Sequence, residues 1–236
     1  MLIDSGRVQN PSSLDAVEVQ AALDRHNRLT IQFSDPKAYH AAVFSALDDI
    51  CQIHDDRLEV RFYGHYGSVF DMRTILRMPH VKRLSVDCLM HADHFEALTD
   101  LGNLQWLNFG VFELDKPDIL GQLNLSRLRG LTLGDTRKSN IDLAPLAAMT
   151  DLRDLFIGGH ARRIEAIGHL QALKRLSLNA GNKVSLDFVN NLSELKHLKF
   201  ILGGREDIAE VDGKGIECLE IVRVRGFSRF DHLPQW

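Results

Sequence analysis

The sequence predicts an α/β solenoid, in which short parallel strands stack into a curved sheet and are joined by 3₁₀ or helical returns, with a helical N-terminal cap. The main observation is a six-residue phrase, apolar at its first, fourth and sixth positions, that occurs seven times between Val81 and Ile221. The fourth position recurs after 23, 24, 24, 21, 22 and 21 residues, and helical spacing appears near the amino end. Repeats of this length predict stacked strand-and-return units, because one unit cannot bury its apolar edge alone.

The seven phrases are the predicted rungs of the sheet. Their apolar residues alternate with other residues, as in a strand that buries one face. We therefore expect the fourth-position leucines to point into one continuous core. These leucines are Leu84, Leu107, Leu131, Leu155, Leu176, Leu198 and Leu219.

Two upstream segments predict further rungs. Residues 28–33 and 57–62 alternate strictly, and we align Leu58 with Leu84. At the other end of the chain, a group of apolar residues is expected to fold back over the last rung. This group is Phe227, Phe230, Leu233 and Trp236.

The N-terminal segment carries two helix signals. Asp35 followed by Pro36 predicts the start of a helix. Ser12 or Ser13 predicts the start of a shorter one, which ends near Asn27. The apolar residues expected on these helices are Leu14, Val17, Val19 and Leu23, then Tyr39, Val43, Leu47 and Ile50.

These signals set the expected domain organisation. Residues 1–56 are predicted to form an α/β cap with a polar outer face, which the end of a solenoid needs. Residues 57–236 are predicted to form the solenoid, continuous with the cap as one domain.

The repeated phrase resembles that of the leucine-rich repeat family, over about 160 residues between Leu58 and Ile221. Its short periods are similar to those of the internalin-type bacterial repeat. The resemblance implies a protein-binding solenoid. The family's turn asparagine or cysteine, five residues after the central leucine, is absent, so other hydrogen bonds and irregular loops are expected. The residues at these places are Leu89, Phe112, Thr136, His160, Gly181, Gly203 and Val224.

Composition excludes several partners. A net charge of -4 provides no basic field for a phosphate backbone, so no nucleic acid is expected. No apolar run reaches the roughly 18 residues of a membrane span, and the first residues lack the pattern of a secretory signal. We therefore expect a cytoplasmic protein with no membrane contact. The three cysteines suit reduced thiols in that compartment.

Motifs for catalysis are weak. The best metal candidate is Cys88-x-x-His91-x-x-His94, with Asp93 and His65 as further neighbours. Zinc sites usually need a fourth ligand, and Cys88 is better explained as a small apolar residue packed beside the rung of Val86. We therefore expect no cofactor, no bound metal and no small-molecule substrate.

The strand residues that point away from the core predict a binding surface on the concave face of the solenoid. Trp106 and Phe156 are expected about 10 Å apart there, since rungs lie ~4.8 Å from each other. Aromatic residues and arginine surrounded by polar groups are typical of binding hot spots. The predicted flanking residues are Arg61, Arg83, Asp87, Asp154 and Arg175, and a weaker patch is Tyr63, His65 and Tyr66.

The sequence thus predicts a non-catalytic protein-binding module that acts as an intracellular inhibitor or adaptor, of which toxin-immunity proteins are one kind. Its expected partner is another protein on the concave face. Two alternatives stay open. One is a metal-dependent enzyme that uses Cys88, His91 and His94. The other is a structural protein that associates with itself through the concave face or an end rung.

Overall fold

The computed structural model describes residues 5–179 and 184–229. The chain divides into two compact units, Met1–Leu114 and Asp115–Trp236, called here the first and second unit. Within each unit, parallel strands alternate with short returns, many of them 3₁₀ turns. The predicted combination of parallel strands and 3₁₀ or helical returns is confirmed.

The first unit contains a parallel sheet in the order β1-β2-β3-β5-β7 and a separate pair, β4-β6. The strands are β1 Arg7–Gln9, β2 Leu29–Phe33, β3 Leu58–Gly64, β4 Phe70–Asp71, β5 Arg83–Leu89, β6 Ala92–Asp93 and β7 Trp106–Val111. The helices are α1 Ala16–Arg25 and α2 Ala41–Ile53, with 3₁₀ turns at Pro36–Ala38, Met72–Arg77 and Phe95–Leu98.

The second unit repeats the same architecture with shorter connections. Its strands are β8 Gly130–Leu133, β9 Asp154–Gly158, β10 Arg175–Asn179, β11 His197–Ile201 and β12 Cys218–Val222. A one-turn helix, α3, spans Ile119–Gln122, and 3₁₀ turns span Ala144–Ala148, Ile164–His169 and Asp187–Asn191. The central leucines of neighbouring strands are register partners from β8 to β12, as the repeat predicts.

Alternation in sequence becomes alternation in burial. In β3, Leu58, Val60 and Phe62 are buried, while the residues between them are half-exposed. Burying one such side chain fully contributes roughly 1.5–3 kcal/mol, so the apolar rows hold each sheet to its returns.

The alignment of Leu58 with Leu84 is wrong. Leu84 pairs in register with Val60, and Leu58 pairs with Leu29. A strand with period two looks the same after a shift of two residues, so the alternation alone cannot distinguish these registers.

Helix α1 begins later than predicted. Asp15, rather than Ser12 or Ser13, caps it and accepts hydrogen bonds from the backbone N–H groups of Val17 and Glu18 at 2.9 and 3.0 Å. Val19 and Leu23 are buried as expected, whereas Val17 is 76% exposed. The three-residue strand β1 precedes α1 and was not predicted.

The Asp35-Pro36 signal starts a 3₁₀ turn rather than a long helix. Asp35 accepts a hydrogen bond from the Lys37 N–H, but the turn ends at Tyr39, and α2 begins only after His40. The ring of Tyr39 packs edge-on against the rings of Phe33, Phe44 and Phe62 in the core of the first unit. Tertiary packing of this ring therefore interrupts the helix that the local cap signal favours.

The last strand is less enclosed than the others. Leu219 and Ile221 of β12 are half-buried, whereas Leu198 and Phe200 of β11 are buried. Phe227 is also half-buried. The other residues of the predicted fold-back, Phe230, Leu233 and Trp236, lie outside the described residues.

Candidate functional site

The candidate site begins with the outward face of the first unit, meaning the strand side chains that alternate with the buried ones. Register pairing arranges them in rows across neighbouring strands. One row is Arg7, Thr30 and Glu59, continued one residue before the Val60–Leu84 pair by Arg83 and Trp106. The next is Gln9, Gln32, Arg61, Ser85 and Asn108, of which Gln32 and Ser85 are buried, and Tyr63 pairs with Asp87 in the third. Hydrogen bonds connect many of these residues.

Arg61 and Asp87 form the centre of this face. The Arg61 Nε and Nη2 groups donate to the two Asp87 carboxylate oxygens at 2.7 and 2.9 Å, and the Asn108 amide donates to the same carboxylate at 3.1 Å. The hydrogen bonds to Asp87 raise the pKa of the Arg61 guanidinium. A two-pronged ion pair of this kind has a fixed geometry, so both side chains are held in place.

A second set of hydrogen bonds extends the network towards β1. The Tyr63 hydroxyl and the Gln32 amide both donate to Gln9 Oε1 at 2.7 Å. The Arg61 guanidinium carbon lies 4.6 Å from the centre of the Tyr63 ring, which joins the two sets. The result is a polar surface whose side chains are ordered before any partner arrives.

Glu59 is also fully engaged. Its carboxylate accepts a hydrogen bond from the Thr30 hydroxyl at 3.0 Å and another from the Ser85 hydroxyl. The two outward carboxylates on these strands, Glu59 and Asp87, thus have structural hydrogen-bonding roles. Their arrangement suits a contact surface better than acid–base chemistry, which needs a group free to exchange a proton.

Arg83 stacks on Trp106 at the beginning of β5 and β7. The guanidinium carbon lies 4.1 Å from the centre of the indole, and Arg83 Nε donates to the Asp56 carbonyl at 2.8 Å. Burial, followed by the nearby charge of Arg28, lowers the pKa of Arg83. The Trp106 Nε1 atom is shielded from solvent and has no hydrogen-bond partner among the described residues.

In the second unit, Phe156 is half-buried and pairs in register with Thr132 on one side and Ser177 on the other. At the first residues of β9 and β10, Arg175 Nε donates a hydrogen bond to the Asp154 carboxylate. The predicted site residues of this unit therefore lie together on β9 and β10. Because Trp106 belongs to the first unit, its proximity to Phe156 remains a prediction.

The weaker aromatic patch does not form as predicted. His65 is buried, at 5% exposure, and its Nε2 lies 2.6 Å from the Tyr39 hydroxyl with which it hydrogen-bonds. Tyr63 belongs to the outward face, and Tyr66 is left 76% exposed. Gln9 is the site residue that sequence reasoning missed, because the three-residue alternation of β1 is too short to identify.

The structure separates the predicted metal ligands. Cys88 is exposed rather than packed beside its rung, and its sulfur lies 3.9 Å from both Asp87 and Arg61. Cys88, His91 and His94 do not bring three ligand atoms within 4.8 Å of one another. Among the described residues, the side chains that do converge in this manner are Asp71, Asp93 and His94. The sequence thus identified two members of the cluster, Asp93 and His94, but not Asp71.

Comparison with known proteins establishes the fold. No family model matches the sequence, and no curated protein matches it. An internalin of Listeria monocytogenes, inlF, has a TM-score of 0.54 at 18% identity over 97% of this chain and 84% of that one. At this identity, the likeness shows that the chain has the leucine-rich-repeat fold.

Two further solved structures are similar over most of the chain. Internalin C2 of Listeria monocytogenes has a TM-score of 0.39 at 14% identity, over 89% of this chain and 76% of that one. A leucine-rich-repeat protein of Leptospira interrogans has a TM-score of 0.49 at 15% identity, over 94% of this chain and 54% of that one.

In the described part of this chain, none of the helices combines the length and the apolar character that crossing a bilayer requires.

Proposed function

We propose that this chain is a non-catalytic protein-binding module that acts as an inhibitor or adaptor in the cytoplasm. Toxin-immunity proteins are one kind of such inhibitor. The proposed binding surface is the outward face of the strands, which is the predicted concave face. The observation that carries this proposal is the ordered network around Arg61 and Asp87, next to the Arg83–Trp106 stack. Side chains that are already fixed lose little conformational entropy when a partner binds.

The composition of the face supports a protein partner. Trp106 and Phe156 are half-buried aromatic residues on outward positions; Arg83 is the register partner of Trp106, and Arg175 lies on the strand next to that of Phe156. Tryptophan, tyrosine and arginine are enriched among residues whose truncation weakens protein complexes most. We assign Trp106 and Phe156 as anchors. The supporting polar residues are Arg61, Arg83, Asp87, Asp154 and Arg175.

The cytoplasmic assignment is supported by the thiols. Cys51, Cys88 and Cys218 are all free, and Cys88 is exposed. Free exposed thiols persist in reducing compartments.

The proposal is tested by comparing captures from source lysate on immobilised wild-type protein and on the Trp106→Ala, Phe156→Ala double variant. A matched control is Tyr66→Ala, which removes an aromatic side chain that is 76% exposed and lies outside the outward strand positions. A specific partner is a protein that wild type and the control retain and the double variant loses.

The affinity of that purified partner then decides the question. We expect either aromatic change to weaken binding by about 2 kcal/mol or more, so the double variant should lose more than either, while its circular dichroism stays native. Substitutions that remove the positive charge of Arg83 or Arg175 should instead slow association and reduce its salt dependence. Native affinity in the folded double variant would refute the proposed face.

A further inference from the structure

We propose that Asp71, Asp93 and His94 of the first unit form a binding site for a divalent transition-metal ion such as Zn²⁺ or Co²⁺. The site lies at the pair β4-β6, which belongs to a different sheet from the strands of the proposed binding face. It does not depend on the proposed function.

Backbone pairing brings the three side chains together. Asp71 and Asp93 are register partners in β4 and β6, and His94 follows directly. The His94 Nδ1 atom lies 3.0 Å from an Asp93 carboxylate oxygen and 3.4 Å from an Asp71 carboxylate oxygen. All three ligand atoms lie within 4.8 Å of one another.

These distances approach those of a coordinated ion. With metal–ligand bonds of roughly 2.1 Å, ligands in a tetrahedral site lie about 3.4 Å apart. The two distances from His94 are close to this value, and the third separation also lies within 4.8 Å. One nitrogen and two carboxylate oxygens suit zinc, cobalt or manganese, whereas calcium takes six to eight oxygens.

The surroundings of His94 also favour cation binding. His94 Nδ1 is shielded from solvent and has no hydrogen-bond partner among the described residues, although two carboxylates lie beside it. Carboxylates directly opposite on paired strands also repel each other. A metal ion would accept the lone pair of the nitrogen and neutralise both carboxylates.

Arg73 gives Asp71 a fixed orientation. Its Nε and Nη2 groups contact the Asp71 carboxylate at 3.0 and 2.6 Å, and its backbone N–H donates to the same carboxylate at 3.0 Å. Supporting contacts of this type orient ligands in metal sites and leave further lone pairs for the metal.

An ion here would tie together two consecutive returns. Asp71 precedes the 3₁₀ turn Met72–Arg77, and His94 precedes the turn Phe95–Leu98. Because the ion would bind the folded chain and not the unfolded one, it should raise the melting temperature.

The test is titration of chelator-treated, full-length protein with Zn²⁺ by calorimetry and with Co²⁺ by visible absorption. We expect one ion per chain and a melting temperature that rises with Zn²⁺ concentration. Asp93→Asn and His94→Asn should weaken Zn²⁺ binding at least about tenfold. Asparagine is chosen at position 94 because His94 has a left-handed φ of 55°, which asparagine tolerates.

His91→Ala and Cys88→Ser are the matched controls, since they alter metal-binding residue types in the same segment and should leave the affinity unchanged. The proposal is overturned if wild type binds no ion, or if folded Asp93→Asn and His94→Asn bind as tightly as wild type. Equal losses in the controls would also overturn it, because the ligands would then be Cys88 and His91. None of these results bears on partner capture by the outward face.

Discussion

At the scale of single residues, His160 replaces the turn asparagine of the leucine-rich repeat. Its Nδ1 accepts a hydrogen bond from the Ile141 N–H at 3.2 Å, and its Nε2 donates to the Gly134 carbonyl at 3.0 Å. The residue is 4% exposed. An imidazole that accepts at one nitrogen and donates at the other is neutral, so the turn depends on the uncharged form.

His160 should therefore make stability depend on pH. Burial lowers its pKa from the ordinary value of 6.5, so the unfolded chain binds the proton more readily. The His160 contribution is fully present above pH 6.5 and is lost as pH falls from there through the folded-state pKa. The free energy of unfolding, measured by urea titration across this range, should decrease as the solution is acidified.

The His160→Gln variant isolates this effect. Glutamine retains a donor and an acceptor but does not titrate, which matters because His54 and His65 also have pKa values lowered by burial. We expect the difference in unfolding free energy between wild type and variant to shrink as the pH falls. A difference that is constant with pH would mean that protonation of His160 does not affect stability.

The sequence could identify the position of His160 but not its bonds. The repeat period places residue 160 in a turn and shows that the family's asparagine is missing. Its partners Gly134 and Ile141 are 26 and 19 residues away in sequence, and only the stacking of repeats brings them near. For the same reason, the sequence does not reveal the roles of Asp71 and Gln9, since their partners lie on other strands.

At the scale of elements, the rungs of the repeat could be predicted because each one is specified many times over. The central leucines from Leu131 to Leu219 fall into register without correction. The errors lie where one local signal stood alone. The helix predicted from the Asp35 cap ends as a short 3₁₀ turn where Tyr39 packs into the core. The alignment of Leu58 with Leu84 was wrong because alternation alone does not fix which residues of two strands pair.

The cost of core truncation should follow the enclosure of each strand. Leu155 is 3% exposed on β9, which has paired neighbours on both sides, whereas Leu219 on β12 is half-buried. Leu155→Ala should lower the free energy of unfolding by roughly 2–5 kcal/mol. Leu219→Ala should lower it less. Urea unfolding measures both, and equal losses would show that β12 is as tightly packed as β9.

At the scale of the whole molecule, the sequence predicts the type of surface but not its partner. Repetition determines which side chains alternate outwards, and this alternation is enough to select Arg61, Asp87 and Trp106 as surface residues. The hydrogen bonds among Arg61, Asp87, Asn108 and Gln9 depend on rotamers and neighbouring strands, which one sequence does not specify. The identity of the partner depends on a second surface that this chain does not contain.

The division into two units provides the final prediction. Trp106 lies in the first unit and Phe156 in the second, so a partner anchored on both must contact both units. Trp106→Ala and Phe156→Ala should then each weaken binding by about 2 kcal/mol, a roughly 30-fold rise in Kd. Calorimetry with the purified partner measures each Kd, with Tyr66→Ala as the control for losing an exposed ring. If one folded single variant binds like wild type while the other does not, the partner is anchored on one unit alone, and the two-anchor assignment is wrong.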